Sequence, residues 1–195
     1  MKFHKLFGVS LLGLASACAV DVNEQGELEG EGELGTSEQA IVNSWIGPVS
    51  EEAPGNSATC AQANVGITQA QCTGKYCDNN SLWCAALPAG VTSIGSGFYT
   101  QYISEESPNN QVFCDSNGGT NPTGIMDGIR ATGKYSDNLS IHCREVNVPP
   151  VSCSWTTWLS EENGGLLDFG AGKFAVGMRC SGAYCDNVSY RVCSF

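Results

Sequence analysis

The chain has 195 residues, of which 11 are cysteine and 24 are glycine, and its formal net charge is −11. A hydrophobic content of 42% is enough for a packed core, which excludes a wholly disordered or collagen-like chain. The acidic balance excludes nucleic acid as a partner, because it leaves no basic footprint for a phosphate backbone. So many cysteines in a short chain indicate a disulfide framework and therefore an oxidising compartment.

The first 18 residues have the organisation of an export signal. Lys2 and Lys5 precede an apolar run from Leu6 to Ala15, and small residues lead up to Cys18. Two processing routes stay open: residues 15–17 fit the small-x-small rule of ordinary signal peptidase, and the same residues with Cys18 resemble a bacterial lipobox, in which that cysteine carries lipid. Either route leaves an even number of cysteines. We therefore expect a protein that is secreted or tethered by lipid to the outer cell surface.

An acidic segment follows over residues 19–40. It carries seven acidic residues between Asp21 and Glu38 and no basic residue, so it cannot bury enough surface to fold. We interpret it as a disordered tether or pro-segment, with a partner-binding acidic tail as the alternative. The folded domain is predicted over residues 41–195.

Three copies of one unit make up this domain. The tripeptide Ser-Glu-Glu recurs at intervals of 54 and 56 residues, each time five residues after an aromatic residue. The aromatic residues are Trp45, Tyr99 and Trp155, and the serines are Ser50, Ser104 and Ser160. Each copy then repeats Gly-x-Tyr-x-Asp-Asn-x-Ser and closes on a cysteine. The units span about 41–90, 91–147 and 148–195.

The pattern within each unit is that of strands and turns. Runs such as 176–180 and 189–193 alternate apolar with polar residues, and glycine or Asp-Asn interrupts such runs every 8 to 12 residues or so. No segment after the signal has the 3.6-residue period of a helix. We expect about four strands per unit, and thus an all-β body of three-fold pseudo-symmetry in which no unit can bury its inner face alone.

The repeats also predict how the cysteines pair. The first and third copies have Cys-x4-Cys at the loop, whereas the second copy lacks both cysteines and has Ala131 and Ser136 instead. Paired loss implies paired bonding, and the remaining cysteines can close longer loops within each unit. A metal site would need four converging ligands, but each loop offers two. The predicted pairs are Cys72–Cys77, Cys180–Cys185, Cys60–Cys84, Cys114–Cys143 and Cys153–Cys193.

Together these features resemble the vitelline membrane outer layer protein I family. The resemblance rests on Trp155 and Trp158 and on the segments Gly74–Cys84, Gly133–Cys143 and Gly182–Cys193, and it covers the folded domain in outline. It implies a β-prism of three sheets, here stapled by disulfides, with an extracellular coat or matrix role and contact with glycans. The family's Cys-Pro-x-Gly is missing, and the loop disulfides are additional. Dermatopontin-like extracellular proteins are similar in a weaker way, and a β-trefoil is the alternative fold.

The repeated loops are the predicted ligand-binding site. Their Asp and Asn oxygens suit sugar hydroxyls or calcium, and each neighbouring tyrosine is an amphipathic ring that can contact a ligand. Asx-turn structure alone is the alternative interpretation. Each of the three Asn residues also begins an Asn-x-Ser sequon for glycosylation. The predicted site residues are Tyr76, Asp78, Asn79, Tyr135, Asp137, Asn138, Tyr184, Asp186 and Asn187.

The aromatic residues at the start of each unit have a structural interpretation and a functional one. They could stack on sugar rings, but their fixed place in each unit favours packing in the core or between sheets. These residues are Trp45, Tyr99, Trp155 and Trp158.

Catalytic chemistry has little support. The first Glu of each pair, at Glu51, Glu105 and Glu161, could act as an acid or base on glycosides, but three equivalent copies offer no distinct acid and base. We expect these carboxylates to cap loop amides. His142 has no counterpart in the other units, so no nucleophile can be given a histidine base. No cofactor or metal is expected. The sequence predicts a non-catalytic module for glycans of a cell surface or matrix; the alternatives are a structural coat protein and an enzyme acting on oligosaccharides.

Overall fold

The computed structural model describes residues 43–50, 56–108 and 110–195. The predicted signal, the acidic segment, Cys18 and Glu51 lie outside the described residues. Within them there are twelve strands, four short 3-10 turns and no α-helix. The strands are β1 (Ser44–Val49), β2 (Ser57–Thr59), β3 (Val65–Thr73), β4 (Asn79–Ala86), β5 (Ser93–Tyr99), β6 (Gln111–Phe113), β7 (Gly124–Thr132), β8 (Asn138–Val146), β9 (Val151–Trp155), β10 (Leu166–Asp168), β11 (Phe174–Ser181) and β12 (Asn187–Ser194). The 3-10 turns are Lys75–Cys77, Lys134–Ser136, Glu161–Asn163 and Ala183–Cys185.

The strands form three antiparallel sheets of four strands each. The first sheet has the order β1-β4-β3-β10, the second β2-β7-β8-β5 and the third β6-β11-β12-β9. Each unit keeps three of its strands in its own sheet and gives one to the next: β2 joins the second sheet, β6 the third, and β10 returns to the first. Because this exchange closes in a ring, no unit completes a sheet alone.

The three sheets face one another around a common core. Their central strands β3, β7 and β11 contact each other in every combination. The inward residues at equivalent positions on these strands, Ala70, Ile129 and Met178, are buried in one apolar cluster with residues of all three sheets. Each sheet stays separate, so the arrangement is the predicted β-prism and not the β-trefoil.

Five disulfides staple the prism, and they join the predicted pairs. Three of them close long loops, with sequence separations of 24, 29 and 40 residues, and two close the short loops. The pairs are Cys60–Cys84, Cys114–Cys143, Cys153–Cys193, Cys72–Cys77 and Cys180–Cys185.

Phe169 explains why the third unit departs from the other two in its pairing. The backbone N–H groups of Cys60, Cys114 and Phe169 make equivalent hydrogen bonds to a neighbouring sheet, so Phe169 occupies the third copy of the cysteine position. Its ring packs against Tyr190, with the ring centroids 5.2 Å apart. The third unit therefore has an aromatic side chain where the other two have the first cysteine of a disulfide, and Val192 at the position of the second cysteine.

Tyr190 provides a test of this core. It is fully buried, and its hydroxyl has no hydrogen-bond partner among the described residues. Burial raises the pKa of this phenol far above its usual range. In the unfolded chain the same phenol has a pKa of about 10, so below that pH it is neutral in both states and does not affect the free energy of unfolding. Above about pH 10 the unfolded chain releases the proton more readily than the folded protein, so the free energy of unfolding falls as the pH rises.

We expect Tyr190→Phe to leave the free energy of unfolding at pH 7 unchanged or to raise it by up to about 1 kcal/mol, because it removes an unpaired buried hydroxyl. The variant should also lose less stability than the parent above about pH 10. Urea denaturation at neutral pH and at about pH 10.5 measures both effects. A clear destabilisation at pH 7 would show that the hydroxyl has a stabilising partner.

Candidate functional site

The three predicted ligand loops meet at one end of the prism. Tyr76, Tyr135 and Tyr184 each have a positive φ, of 61°, 57° and 60°. Their rings form a triangle in which every pair of centroids is 5.1 to 5.2 Å apart. The loops therefore form one cluster about the pseudo-threefold axis, and a ligand at this end would meet a single surface.

The turn at the start of each loop requires glycine. Gly74, Gly133 and Gly182 have φ values of 77° to 79°, and a Cβ at any of them would collide with the Asp and Asn side chains of the same loop. In each loop the Asn Nδ2 donates a hydrogen bond to Oδ1 of the preceding Asp, at 2.5 to 2.6 Å. The Asp and Asn side chains of each loop are thus bonded to each other next to the glycine turn.

The Ser-Glu-Glu segments bind the loops of neighbouring units. Glu161 Oε2 accepts a hydrogen bond from the backbone N–H of Tyr76 at 3.1 Å. Glu105 Oε1 accepts the equivalent bond from Tyr184 at 3.0 Å. These carboxylates cap loop amides, as expected.

Two lysines complete the loop cluster. Lys75 Nζ lies 4.8 Å from the ring centroid of Tyr76, and Lys134 Nζ lies 5.0 Å from that of Tyr135. The third unit has Ala183 at the equivalent position. The tyrosine rings are half-buried and are largely covered by one another and by these lysine stems, which limits the ring surface left for a ligand.

The aromatic residues that begin each unit lie on the outer faces of the sheets. Trp45 and Trp158 are 40% and 37% exposed, and Tyr99 and Trp155 are half-buried. The expectation that they pack in the core is wrong. Three of them lie on or at the end of the edge strands β1, β5 and β9, where the prism interior is already filled by the central strands.

On the third sheet these aromatic residues enclose an arginine. Arg179 Cζ lies 4.4 Å from the ring centroid of Trp155 and 4.6 Å from that of Trp158. Both contacts are within the range of a cation–π interaction. The guanidinium therefore contacts both indole rings.

A groove of about 450 Å³ runs beside this arginine on the same sheet. Its walls include Phe113, Trp155 and Arg191, with the side-chain amides of Gln111 and Asn121 at its edge, and none of its lining residues is acidic. The rings of Phe113 and Trp155 are 5.8 Å apart. We call the five residues Phe113, Trp155, Trp158, Arg179 and Arg191 the Trp155 face.

Gly177 makes room for this arrangement. It lies between Phe113 and Arg191 in the register of the sheet, and a Cβ there would collide with the Phe113 ring. A second cavity of about 370 Å³ is also lined by Phe113, together with Tyr99 and Asp115. Phe113 thus contributes to two concave surfaces.

A buried ionic network on the second sheet was not predicted. Asp127 has no exposed surface, and its two carboxylate oxygens lie 2.5 Å from His142 Nδ1 and from Arg144 Nε. The His142 ring also packs against Tyr99 at 4.7 Å. His142, which has no counterpart in the other units, is therefore one of two partners of a buried carboxylate. In the described part of the chain no hydroxyl or thiol is hydrogen-bonded to it.

Two further properties concern the described residues alone. They contain no group of three or more His, Cys, Asp or Glu side chains arranged to hold a metal ion. None of their helical segments is long and apolar enough to span a membrane.

Comparison of the chain with protein-family models, with curated proteins and with solved structures finds no match. The resemblance to the vitelline membrane outer layer protein I family therefore stays a prediction from the residues that carry it.

Proposed function

We propose that this protein is a non-catalytic module, secreted or tethered at the cell surface, that binds glycans through the Trp155 face. The observation that supports this most directly is the groove in which Phe113 and Trp155 stand beside Arg191 and two side-chain amides. Sugar rings have an apolar C–H face and a rim of hydroxyls, so an aromatic wall with nearby polar groups suits both parts.

The loop cluster is the second candidate surface. Its Asp and Asn side chains are bonded to each other within each loop, and its tyrosine rings pack together. Both features support a structural role, which is why we favour the open groove. The cluster still presents two lysines to solvent, and its test belongs in the same experiment.

The disulfides indicate an oxidising compartment, which agrees with export. The cyclic exchange of strands and these five disulfides also suit a durable coat protein without a soluble ligand. Ordered self-assembly of the purified protein in the absence of any glycan would favour that alternative.

A glycan-array screen of the oxidised protein tests the proposal. We expect at least one glycan to bind, and Trp155→Ala to weaken its affinity by about tenfold or more, because the aromatic wall is lost. Trp45→Ala is the matched control, since Trp45 is the equivalent residue of the first sheet and lies outside the groove. Its affinity should equal that of the parent.

A triple replacement of Asp78, Asp137 and Asp186 by Ala, checked for unchanged folding, tests the loop cluster. Loss of binding in this variant but not in Trp155→Ala would move the site to the loops. No binding to any glycan would contradict the proposed function and favour the coat protein.

A further inference from the structure

We infer that the glycan bound by the Trp155 face is acidic, and that Arg179 and Arg191 bind its carboxylate or sulfate groups. This inference rests on the proposed function and specifies the class of ligand. Carboxylate and sulfate share the chemistry that matters here, which is two or more oxygens of one oxyanion placed to accept hydrogen bonds from a guanidinium.

Arg179 has the geometry of a prepared anion-binding group. Trp155 and Trp158 both contact its guanidinium, and its Nε is buried without a hydrogen-bond partner in the described part of the chain. An arginine directs all its N–H groups outward in the plane of the guanidinium, so contacts with aromatic rings leave N–H groups available to a ligand. Because the rings restrict the side chain, less entropy is lost when an oxyanion binds.

Arg191 brings a second positive charge to the same face. It lies on β12 opposite Gly177 of β11, and Arg179 lies two residues after Gly177 on β11. The two arginines are therefore diagonal neighbours across the sheet. It lines the groove, and its Cζ is 5.8 Å from the Trp155 ring centroid. Two neighbouring like charges repel each other unless an anion lies between them.

No acidic side chain neutralises this pair among the residues that the structure describes. The ion pairs found there both belong to Asp127 on the second sheet, and no Asp or Glu lines the groove. The Trp155 face is a local cationic surface, and charges beyond a Debye length of about 10 Å affect it little at ordinary salt concentration.

The other two sheets provide matched controls. Arg130 on the second sheet lies 4.2 and 4.6 Å from the ring centroids of Tyr99 and Tyr102, but it lies on a different sheet from the Trp155 face, and His142 stands there at the position of Arg191. The first sheet has Gln71 at the equivalent position, immediately before the loop as Arg130 and Arg179 are. The fold thus already accepts glutamine at this place, so Arg179→Gln should fold.

The test is a calorimetric titration of the full chain, with its disulfides intact, against three short oligosaccharides. One carries carboxylates (trigalacturonate), one carries sulfates (a sulfated galactose tetrasaccharide), and one is neutral (chitotriose). We expect one or both acidic probes to bind about tenfold or more tighter than the neutral probe. Comparison of the two acidic probes shows which oxyanion is preferred.

Arg179→Gln should lower the affinity for the acidic probe by about 10- to 100-fold, because a charge-assisted hydrogen-bond pair is lost. The same variant should change the affinity for chitotriose by less than about twofold. Arg191→Gln should act in the same direction. Arg130→Gln should leave both affinities unchanged. Equal thermal melting of parent and variants shows that the fold is intact.

The remaining outcomes separate the two proposals. If neutral and acidic probes bind equally and Arg179→Gln changes neither, the inference is wrong while the glycan-binding function stands. If no oligosaccharide binds, both fail. If a single-stranded oligonucleotide competes as well as the acidic sugar, the face recognises phosphate groups in general, and the assignment to an acidic glycan is overturned.

Discussion

The double replacement His142→Ala with Arg144→Met is expected to lower the free energy of unfolding by about 3–5 kcal/mol. Asp127 is fully buried, and these two side chains are the partners of its carboxylate oxygens. Removing both leaves a buried negative charge without compensation, which costs far more than the loss of an exposed ion pair. Urea denaturation at pH 7 measures the loss.

The control adds Asp127→Thr to the same double variant. The first unit has Thr68 at the equivalent position of β3, so the fold accepts threonine there. The triple variant lacks the same ring and guanidinium contacts as the double variant, and it replaces the buried carboxylate by the uncharged side chain that the first unit has there. It should recover most of the lost stability. A triple variant no more stable than the double variant would show that lost packing, and not the buried charge, causes the destabilisation.

The three-fold repeat accounts for most of what the sequence could predict about the fold. Recurring Ser-Glu-Glu and Gly-x-Tyr-x-Asp-Asn segments imply three equivalent all-β units. The resemblance to the vitelline membrane outer layer protein I family implied that these units form the three sheets of a β-prism. The absence of both loop cysteines from the second unit identified the short disulfides. Each of these inferences compares one copy with another. Such a comparison is informative only where the copies share a residue, or where two residues are absent together from one copy.

The exchange of strands between units was beyond that comparison. The exchanged strands β2, β6 and β10 have three residues each, too short for a periodic pattern. Their pairing depends on how the sheets come together and not on local sequence. The same closure of the prism brings the three loops into contact, and the comparison of one copy with another could not show that they form one cluster.

The aromatic residues show a different limit. Their fixed place in each unit favoured packing in the core or between sheets, but a repeated position does not say whether a side chain points to the inner or the outer face of a sheet. A signal for the outer face was present: Arg130 and Arg179 precede the loop in two of the three units, and an arginine in a strand otherwise apolar on its inner side must point outward.

The Asp127 network had a weaker signal. A lone acidic residue within the apolar run 124–129 indicates a buried and paired charge. Its partners could not be named, because the residues equivalent to Asp127 in the other units, Thr68 and Val176, are uncharged and offer no comparison. A feature present in a single unit has no second copy that would identify it.

The long and short disulfides are expected to contribute differently to the free energy of unfolding, because they close loops of different length. Replacing Cys114 and Cys143 by Ala should lower the free energy of unfolding by about 3–4 kcal/mol, because this bond closes a long loop in the unfolded chain. The sequence separation is 29 residues for this pair and 5 residues for Cys72–Cys77. The chain entropy removed by the shorter closure is correspondingly smaller, about 2 kcal/mol.

The second unit shows that the fold forms a loop without the short disulfide. The second unit has Ala131 and Ser136 in place of the two cysteines, and Ser136 Oγ donates a hydrogen bond to the backbone carbonyl of Asp78 at 2.9 Å, which links two loops of the cluster. We therefore expect Cys72→Ala with Cys77→Ser to cost about 2 kcal/mol or less, and to keep the loop cluster intact. Denaturation without reductant, with free thiols assayed to confirm four remaining disulfides, compares the two variants. Equal losses would mean that the short bonds hold the loop cluster together in the folded state, since loop closure alone predicts the larger effect for the long bond.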